Sequence, residues 1–179
     1  MGSAALRVTG TRAMQRRDSA QVLAINLMSR PGVAPLEQEE LSRLMSLPHE
    51  HLVAVRGNDL VGYLLAFQRD APYDGEEFLA FRRLLTAPYL YVDQVAVAAE
   101  LQHSGIGRHL YEEISSVARR RGLGLLCCEV NIRPANQGSI AFHEQLGFSS
   151  VTRLATRDGR EVQLMAKTLT GAISQPLRR

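Results

Sequence analysis

VAVAAELQHSGIGRHLYEEI, residues Val95–Ile114, passes from an apolar run to an amphipathic one through the turn Gln102-His103-Ser104-Gly105-Ile106-Gly107. A strand, a glycine-bearing turn and a helix that starts at once leave several backbone N–H groups unpaired at the helix N-terminus, where the macrodipole is positive. That is a place for an anion. Without Cβ atoms, Gly105 and Gly107 let the backbone approach a diphosphate closely. A strand-to-helix turn also recruits glycine for conformation alone, so both readings stand at this point. Two familiar phosphate loops fail: neither G-x-G-x-x-G nor G-x-x-x-x-G-K-[ST] is present, because Arg108 follows Gly107 and no lysine is near.

Outward from this stretch, periodicity lays out the chain. LRVTGTR alternates as a first strand, and Asp18 stands where it caps a helix through SAQVLAINLMSR, with Val22, Ile25 and Ser29 on one side. PLEQEELSRLMSLP is a second short helix. HLVAVRGNDLVGYLLAFQRD is two apolar runs around Gly57-Asn58-Asp59, a hairpin signal. APYDGEEFLAFRRLLTAPY is a loop with a short helix, whose Tyr73, Phe78 and Phe81 either dock on the core or line an apolar site. YLYVDQVAVA is the strand before the turn. The helix after it buries Leu110, Ile114, Val117 and Ala118 and stops at Gly122. LGLLCCEVNI, NQGSIAFHEQLG and a hairpin about Asp158-Gly159 complete the order β-α-α-β-β-(α)-β-α-β-α-β-β, an α/β (α+β) mixed sheet with helices packed on it.

The 179 residues, 45% hydrophobic and 22% charged, suit one soluble globular domain. We expect a single domain over 1–170 and a tail over 171–179. No apolar run reaches the roughly 18 residues of a spanning helix, and the N-terminus lacks a secretory pattern, so the expectation is a cytoplasmic protein with no membrane partner. A formal charge of +3 is too small to argue for a nucleic-acid groove. Cys127 and Cys128 are adjacent in an apolar strand and point to opposite faces, which makes them buried free thiols. His49 and His51 lack companions at metal-ligand spacing, and no metal is expected. Arg119-Arg120-Arg121, in a last helical turn, is read as a solvated face.

The block Q-x-x-G-x-G at Gln102–Gly107 resembles the acyl-CoA diphosphate loop of the GNAT superfamily of N-acetyltransferases, and NQGSIAFHEQLGF, with Asn136, Ser139, Phe142 and Leu146-Gly147-Phe148, resembles that superfamily's second signature. The resemblance spans about Tyr89 to Phe148. It implies a largely antiparallel, splayed sheet of about six to seven strands, acetyl-CoA (coenzyme A) as cofactor, and transfer of its acetyl group to a primary amine of a small molecule or peptide by direct attack in a ternary complex. It leaves room for a homodimer. By the same resemblance, Val95 and Val97 are main-chain contacts to the pantetheine arm. Gln102, His103, Ser104, Gly105, Ile106, Gly107 and Arg108 hold the diphosphate, and Asn136 contacts the cofactor arm. Asn136 is equally an ordinary helix N-cap.

Acyl transfer to an amine needs a neutral nucleophile, a stabilised oxyanion and a proton for the leaving thiolate. Glu129 is the first candidate for base, by its resemblance to a strand glutamate of several family members; a solvated ion pair is its plain alternative. Asp93, an acid in an apolar strand, is the other candidate. His143 stands where the family's usual tyrosine acid stands. It lies seven residues from Asn136 on one helical face, and either donates a proton as an imidazolium or only packs. That departure motivates an alternative, a catalytically weak acyl-CoA-binding sensor. A third reading is a phosphate-binding module for a ligand other than CoA.

Overall fold

A computed structural model describes residues 10–169 of the chain. Its strands are β1 (Gly10–Ala13), β2 (Leu52–Arg56), β3 (Asp59–Gln68), β4 (Tyr89–Val97), β5 (Leu125–Arg133), β6 (Ser149–Ala155) and β7 (Glu161–Thr168). Its helices are α1 (Ser19–Met28), α2 (Gln38–Leu44), α3 (Glu76–Leu84), α4 (Ile106–Arg120) and α5 (Gln137–Gln145). The strands form one seven-stranded sheet in the order β1-β2-β3-β4-β5-β7-β6. β1–β2, β2–β3, β5–β7 and β6–β7 pair antiparallel, and β4 and β5 pair parallel, joined by the crossover helix α4. The mixed, mostly antiparallel sheet read from the sequence is the one observed. Leu6–Thr9 of the expected first strand, and the tail 171–179, lie outside the described residues.

Two compact units divide the chain. Among the described residues, one comprises Gly10–Leu65 with Gln94–Ile114, and the other comprises Ala66–Asp93 with Ser115–Leu169. The boundary therefore falls within β3, β4 and α4.

In the first unit, Val22 and Ile25 of α1 and Leu41 and Leu44 of α2 are buried with the middle of β2 and β3. Each such side chain contributes about 1.5–3 kcal/mol by leaving water. The helix starts at Ser19 as expected, but Asp18 does not cap it with its side chain. Its carboxylate is instead gripped by Arg12 through Nη1 and Nη2 at 2.7 and 2.8 Å and accepts from the Gln15 N–H. A bidentate guanidinium outcompetes a single backbone donor, and it holds the Asp18 pKa below its ordinary value. Asn26, not Ser29, is the third buried position of α1.

Interior Gly62 of β3 has a specific cause. A Cβ there would lie 3.0 Å from the Ala96 carbonyl oxygen and 3.2 and 3.4 Å from the Ile106 and Leu110 side chains. β4 and the first turn of α4 approach this strand so closely that a methyl group would displace them.

In the second unit, Phe78 and Phe81 of α3 are fully buried against Tyr89 and Tyr91 of β4 with ring centroids 5.5–6.4 Å apart. Of the residues expected on the buried face of α4, Leu110 and Ile114 of the first unit and Ala118 of the second are buried and Val117 is half-buried; Tyr111 and Ser115 are also buried. Gly122 ends the helix at φ 72°, and Gly159 turns the β6–β7 hairpin at φ 86°. Cys127 and Cys128 are buried free thiols, and burial pushes the Cys127 thiol pKa up.

Candidate active site

The turn opening α4 is built from beneath. The Ala98 N–H bonds the Val61 carbonyl at 3.0 Å, Ala99–Leu101 makes a single 3₁₀ turn, and buried Ile106 anchors the start of the helix. Between these anchors Gln102–Gly105 is exposed, and the backbone enters the left-handed region twice, at His103 (φ 63°) and Gly105 (φ 90°). A histidine there is uncommon; it is held by the turn on either side. The first helical bond runs from His109 N–H to the Gly105 carbonyl, so the amides before it are the helix's outward-facing donors. No protein atom lies within 4 Å of the position a Gly105 Cβ would take. The open cradle, its strained backbone and the helix dipole fit a diphosphate.

β4 and β5 pair from Tyr89↔Leu125 to Val92↔Cys128, and their ladder ends there although both strands continue. Asp93 and Glu129 are the next residue on each strand. Parallel register and strand parity send both side chains to the face that carries Tyr91 and Cys127. The sequence offered them as alternatives; the structure makes them one cluster. Tyr91 donates to Glu129 Oε2 at 2.7 Å and lies 3.5 Å from Asp93 Oδ1, while Tyr73, in the segment before α3, donates to Asp93 Oδ1 at 2.6 Å. Tyr73 is stacked on Phe67 with centroids 4.3 Å apart. Both carboxyl-bearing residues stay half-buried, open enough to meet a substrate.

Burial holds the Glu129 pKa well above the ordinary carboxylate value, helped by the negative charges of Asp93 and then Glu77; the Tyr91 hydrogen bond acts the other way. Burial first, and the neighbouring carboxylates next, push the Tyr73 and Tyr91 phenols up as well, so both remain neutral donors. A carboxyl whose proton affinity is raised is the kind that takes a proton from an amine and releases it again.

Asn136 is the N-cap of α5, its side chain accepting from Ser139 N–H at 3.2 Å. His143, two turns further along the same helix, is buried. Its Nδ1 meets the Ser139 carbonyl oxygen at 2.7 Å, and its ring packs edge-on to Phe142 and Phe148. Burial lowers the His143 pKa, with the Ser139 carbonyl opposing. That shift disfavours the imidazolium.

Tyr91, Glu77 and Arg160 are neighbours of the pair that sequence reasoning passed over, and Tyr73, expected to dock on the core or line an apolar site, bonds Asp93. Tyr91 was findable, since it shares strand parity with Asp93 two residues on. Among the described residues no group of three or more His, Cys, Asp and Glu is placed to hold a metal ion, and no helix is long and apolar enough to cross a membrane.

A sheet of this order with a glycine turn after its fourth strand defines a known class. The profile of the acetyltransferase (GNAT) family matches residues 21–148, and the chain belongs to that family. Over 71 residues it is 38% identical to the [ribosomal protein bS18]-alanine N-acetyltransferase of Escherichia coli K12. That match covers 37% of this chain and 47% of the relative, so the chain spans about half the length of the curated relatives it matches. In fold it is similar to the crystal structure of the Escherichia coli ribosomal-protein-S18-alanine N-acetyltransferase (TM-score 0.71, 16% identity, 95% of this chain and 98% of that one). It is also similar to Chaetomium thermophilum Naa20 in complex with a bisubstrate analogue (TM-score 0.72, 18% identity, 96% and 92%).

Proposed function

We propose that this chain is an acetyl-CoA-dependent N-acetyltransferase whose acceptor is a primary amine, in particular the α-amine of a polypeptide N-terminus. Family membership supports the reaction class, and the acceptor is inferred from the relative named for acetylating a ribosomal protein's alanine. The observation that carries the reading is the Asp93–Glu129 pair, half-buried and buttressed by two neutral tyrosines. A site that only sensed acyl-CoA would have no use for a base of raised proton affinity.

Acetyl-CoA supplies the activated acetyl group. The amides and glycines of Gln102–Arg108 bind its diphosphate, and the backbone of Val95 and Val97 and the side chain of Asn136 meet its arm. Glu129 accepts the proton that the acceptor nitrogen loses as it attacks the thioester carbon, directly or through one water, and Asp93 keeps that carboxylate basic by like-charge proximity. Asp93 takes the base role if Glu129 proves dispensable. For the thiolate, His143 is the family-position candidate; as a neutral buried imidazole it contributes a small factor at most. The single domain over 1–170 and a homodimeric assembly belong to the same proposal.

Calorimetric titration with CoA tests the first half. Gly105→Val should weaken CoA binding at least tenfold, because its side chain occupies the cradle. Gly57→Val, at another left-handed glycine with nothing within 4 Å, controls for backbone strain and should leave affinity intact. Equal affinities in all three folded proteins would refute the anion site. Acetyl transfer to peptides with free or blocked N-termini tests the acceptor; transfer to the blocked peptides alone would overturn the α-amine assignment.

A further inference from the structure

Arg160, in the β6–β7 turn, gathers groups from α3, from β5 and from its own turn. Its Nη2 donates to Glu77 Oε1 of α3 at 2.9 Å, its Nη1 to Asn131 Oδ1 of β5 at 3.2 Å, and its Nε to Asp158 Oδ2 at 2.7 Å. The Arg157 N–H donates to Glu76 Oε2 at 3.0 Å, a second tie between the same turn and α3. Glu77 is 8% exposed, too buried to be a solvated surface acid. A buried carboxylate requires a partner, and Arg160 is the cation that meets it. Asn131, the other group on the fork, lies two residues beyond Glu129 on the same strand.

The groups around Glu129 can be taken element by element. β4 presents Tyr91 and Asp93, the segment before α3 presents Tyr73, α3 presents Glu77, and the β6–β7 turn presents Arg160 through Glu77. On the other side, β7 faces Glu129 with Leu164, which carries no charge. Glu129, Asp93 and Glu77 thus act on one another, and the Arg160 guanidinium, tied to α3 and to β5 and shared with Asp158 of its own turn, opposes the third. Nothing in a purely structural hinge between a helix and a hairpin calls for an acid beside two others.

We infer that Arg160 and Glu77 are a positioning pair for the reaction: Arg160 offsets part of the Glu77 charge and thereby sets how strongly that acid bears on Glu129. The inference rests on Glu129 being the base. It assigns the β6–β7 turn a second task, setting the proton affinity of a strand residue it does not touch.

The test uses opposite signs. Carbon-13 carboxyl NMR of the full chain labelled at glutamate, with the Glu129 signal assigned through Glu129→Gln, reads its titration midpoint without any acceptor. Glu77→Gln removes a negative charge and should lower that midpoint by about half a pH unit or more, while Arg160→Gln unmasks Glu77 and should raise it by a similar amount. The double variant, with no net change of charge, should return close to the original value. Arg160→Lys, which keeps the charge but loses the fork, should stay near the original midpoint and serves if Arg160→Gln does not fold. Midpoints that do not move, or that move the same way in both single variants, would overturn the inference, since a broken strut acts alike from either end. The acid limb of kcat/KM should follow the NMR midpoints. Opposite NMR shifts with an unmoved limb would leave the pair's electrostatic role standing and overturn Glu129 as base.

Discussion

Asp93 and Gln94 are neighbours on β4 and belong to two opposite kinds of polar network. Gln94 joins a neutral one: its Oε1 accepts from Tyr63 OH at 2.9 Å and Asn26 Nδ2 at 3.1 Å, and Asn26, fully buried, also donates to the Ala34 carbonyl and accepts from Leu36 N–H, both at 3.0 Å. Amides and a hydroxyl satisfy one another there, and the result pins the chain between α1 and α2. Asp93 joins a charged one, in which two carboxyls share two tyrosine donors and a third acid stands by. The first network is at rest; the second holds a group ready to change its protonation. Polar burial by itself signals stability, and it signals chemistry where like charges are brought together.

The largest expected effect separates the two networks outright. Glu129→Gln should lower kcat/KM by about 10²–10⁴-fold, or roughly 3–5 kcal/mol of barrier, with CoA affinity nearly unchanged. The same variant should alter the pH dependence of stability. With the folded pKa above the unfolded one, the folded state binds more protons between those values, so wild-type stability falls as pH rises from about 4.5 through the folded pKa. Urea titrations across that range should show this decline shrinking in Glu129→Gln. Full activity in the variant would erase the contrast.

Asn26→Ala should do the reverse. It orphans the Leu36 N–H and removes the donor to Ala34, for a loss of about 2–4 kcal/mol in stability. Well below its lowered melting temperature kcat should stay near wild type; a hundredfold fall in kcat would make this network catalytic too.

Gly75→Ala sharpens the boundary between fold and chemistry. A Cβ at Gly75 would lie 2.6 Å from the Tyr73 ring, and the ring, stacked on Phe67, moves only by leaving Asp93. About a tenfold drop in kcat/KM is expected, or about 1.4 kcal/mol, and an unchanged value would show that the Tyr73 bond is dispensable.

The smallest effect belongs to His143. His143→Tyr should change turnover by only a few-fold and leave the alkaline limb of kcat/KM in place, because burial lowers the ring's pKa and disfavours the imidazolium. A limb that shifts upward would restore the imidazolium acid.

What could be read from the residues follows the range of the forces. Element order was legible because hydrophobic period and glycine punctuation are local, as at Gly57, Gly122 and Gly159. The turn at Gln102–Gly107 was legible for the same reason, and so was Asn136 as an N-cap. Asp18 was misplaced because Arg12, a residue of the neighbouring strand, competes for it. The Tyr73–Asp93 and Glu77–Arg160 contacts were invisible: no periodicity connects a helix residue to a hairpin residue 83 positions later. The reason for Gly62 was invisible in the sequence, since it lies in the Ala96 carbonyl of another strand.

The interleaving of the two compact units has a consequence for the order in which the molecule can be assembled on the ribosome. Every residue of the first unit has been synthesised once Ile114 is added, whereas the parallel partner of Tyr89–Val92 comes only with Leu125–Cys128. During that interval β4 is a strand with one finished end and one waiting end. The tyrosines and Asp93 belong to the waiting end. The apolar stretch Tyr89–Val92 is therefore open on its β5 side until Leu125–Cys128 has been made, and Asp93 stands at its margin as a gatekeeper.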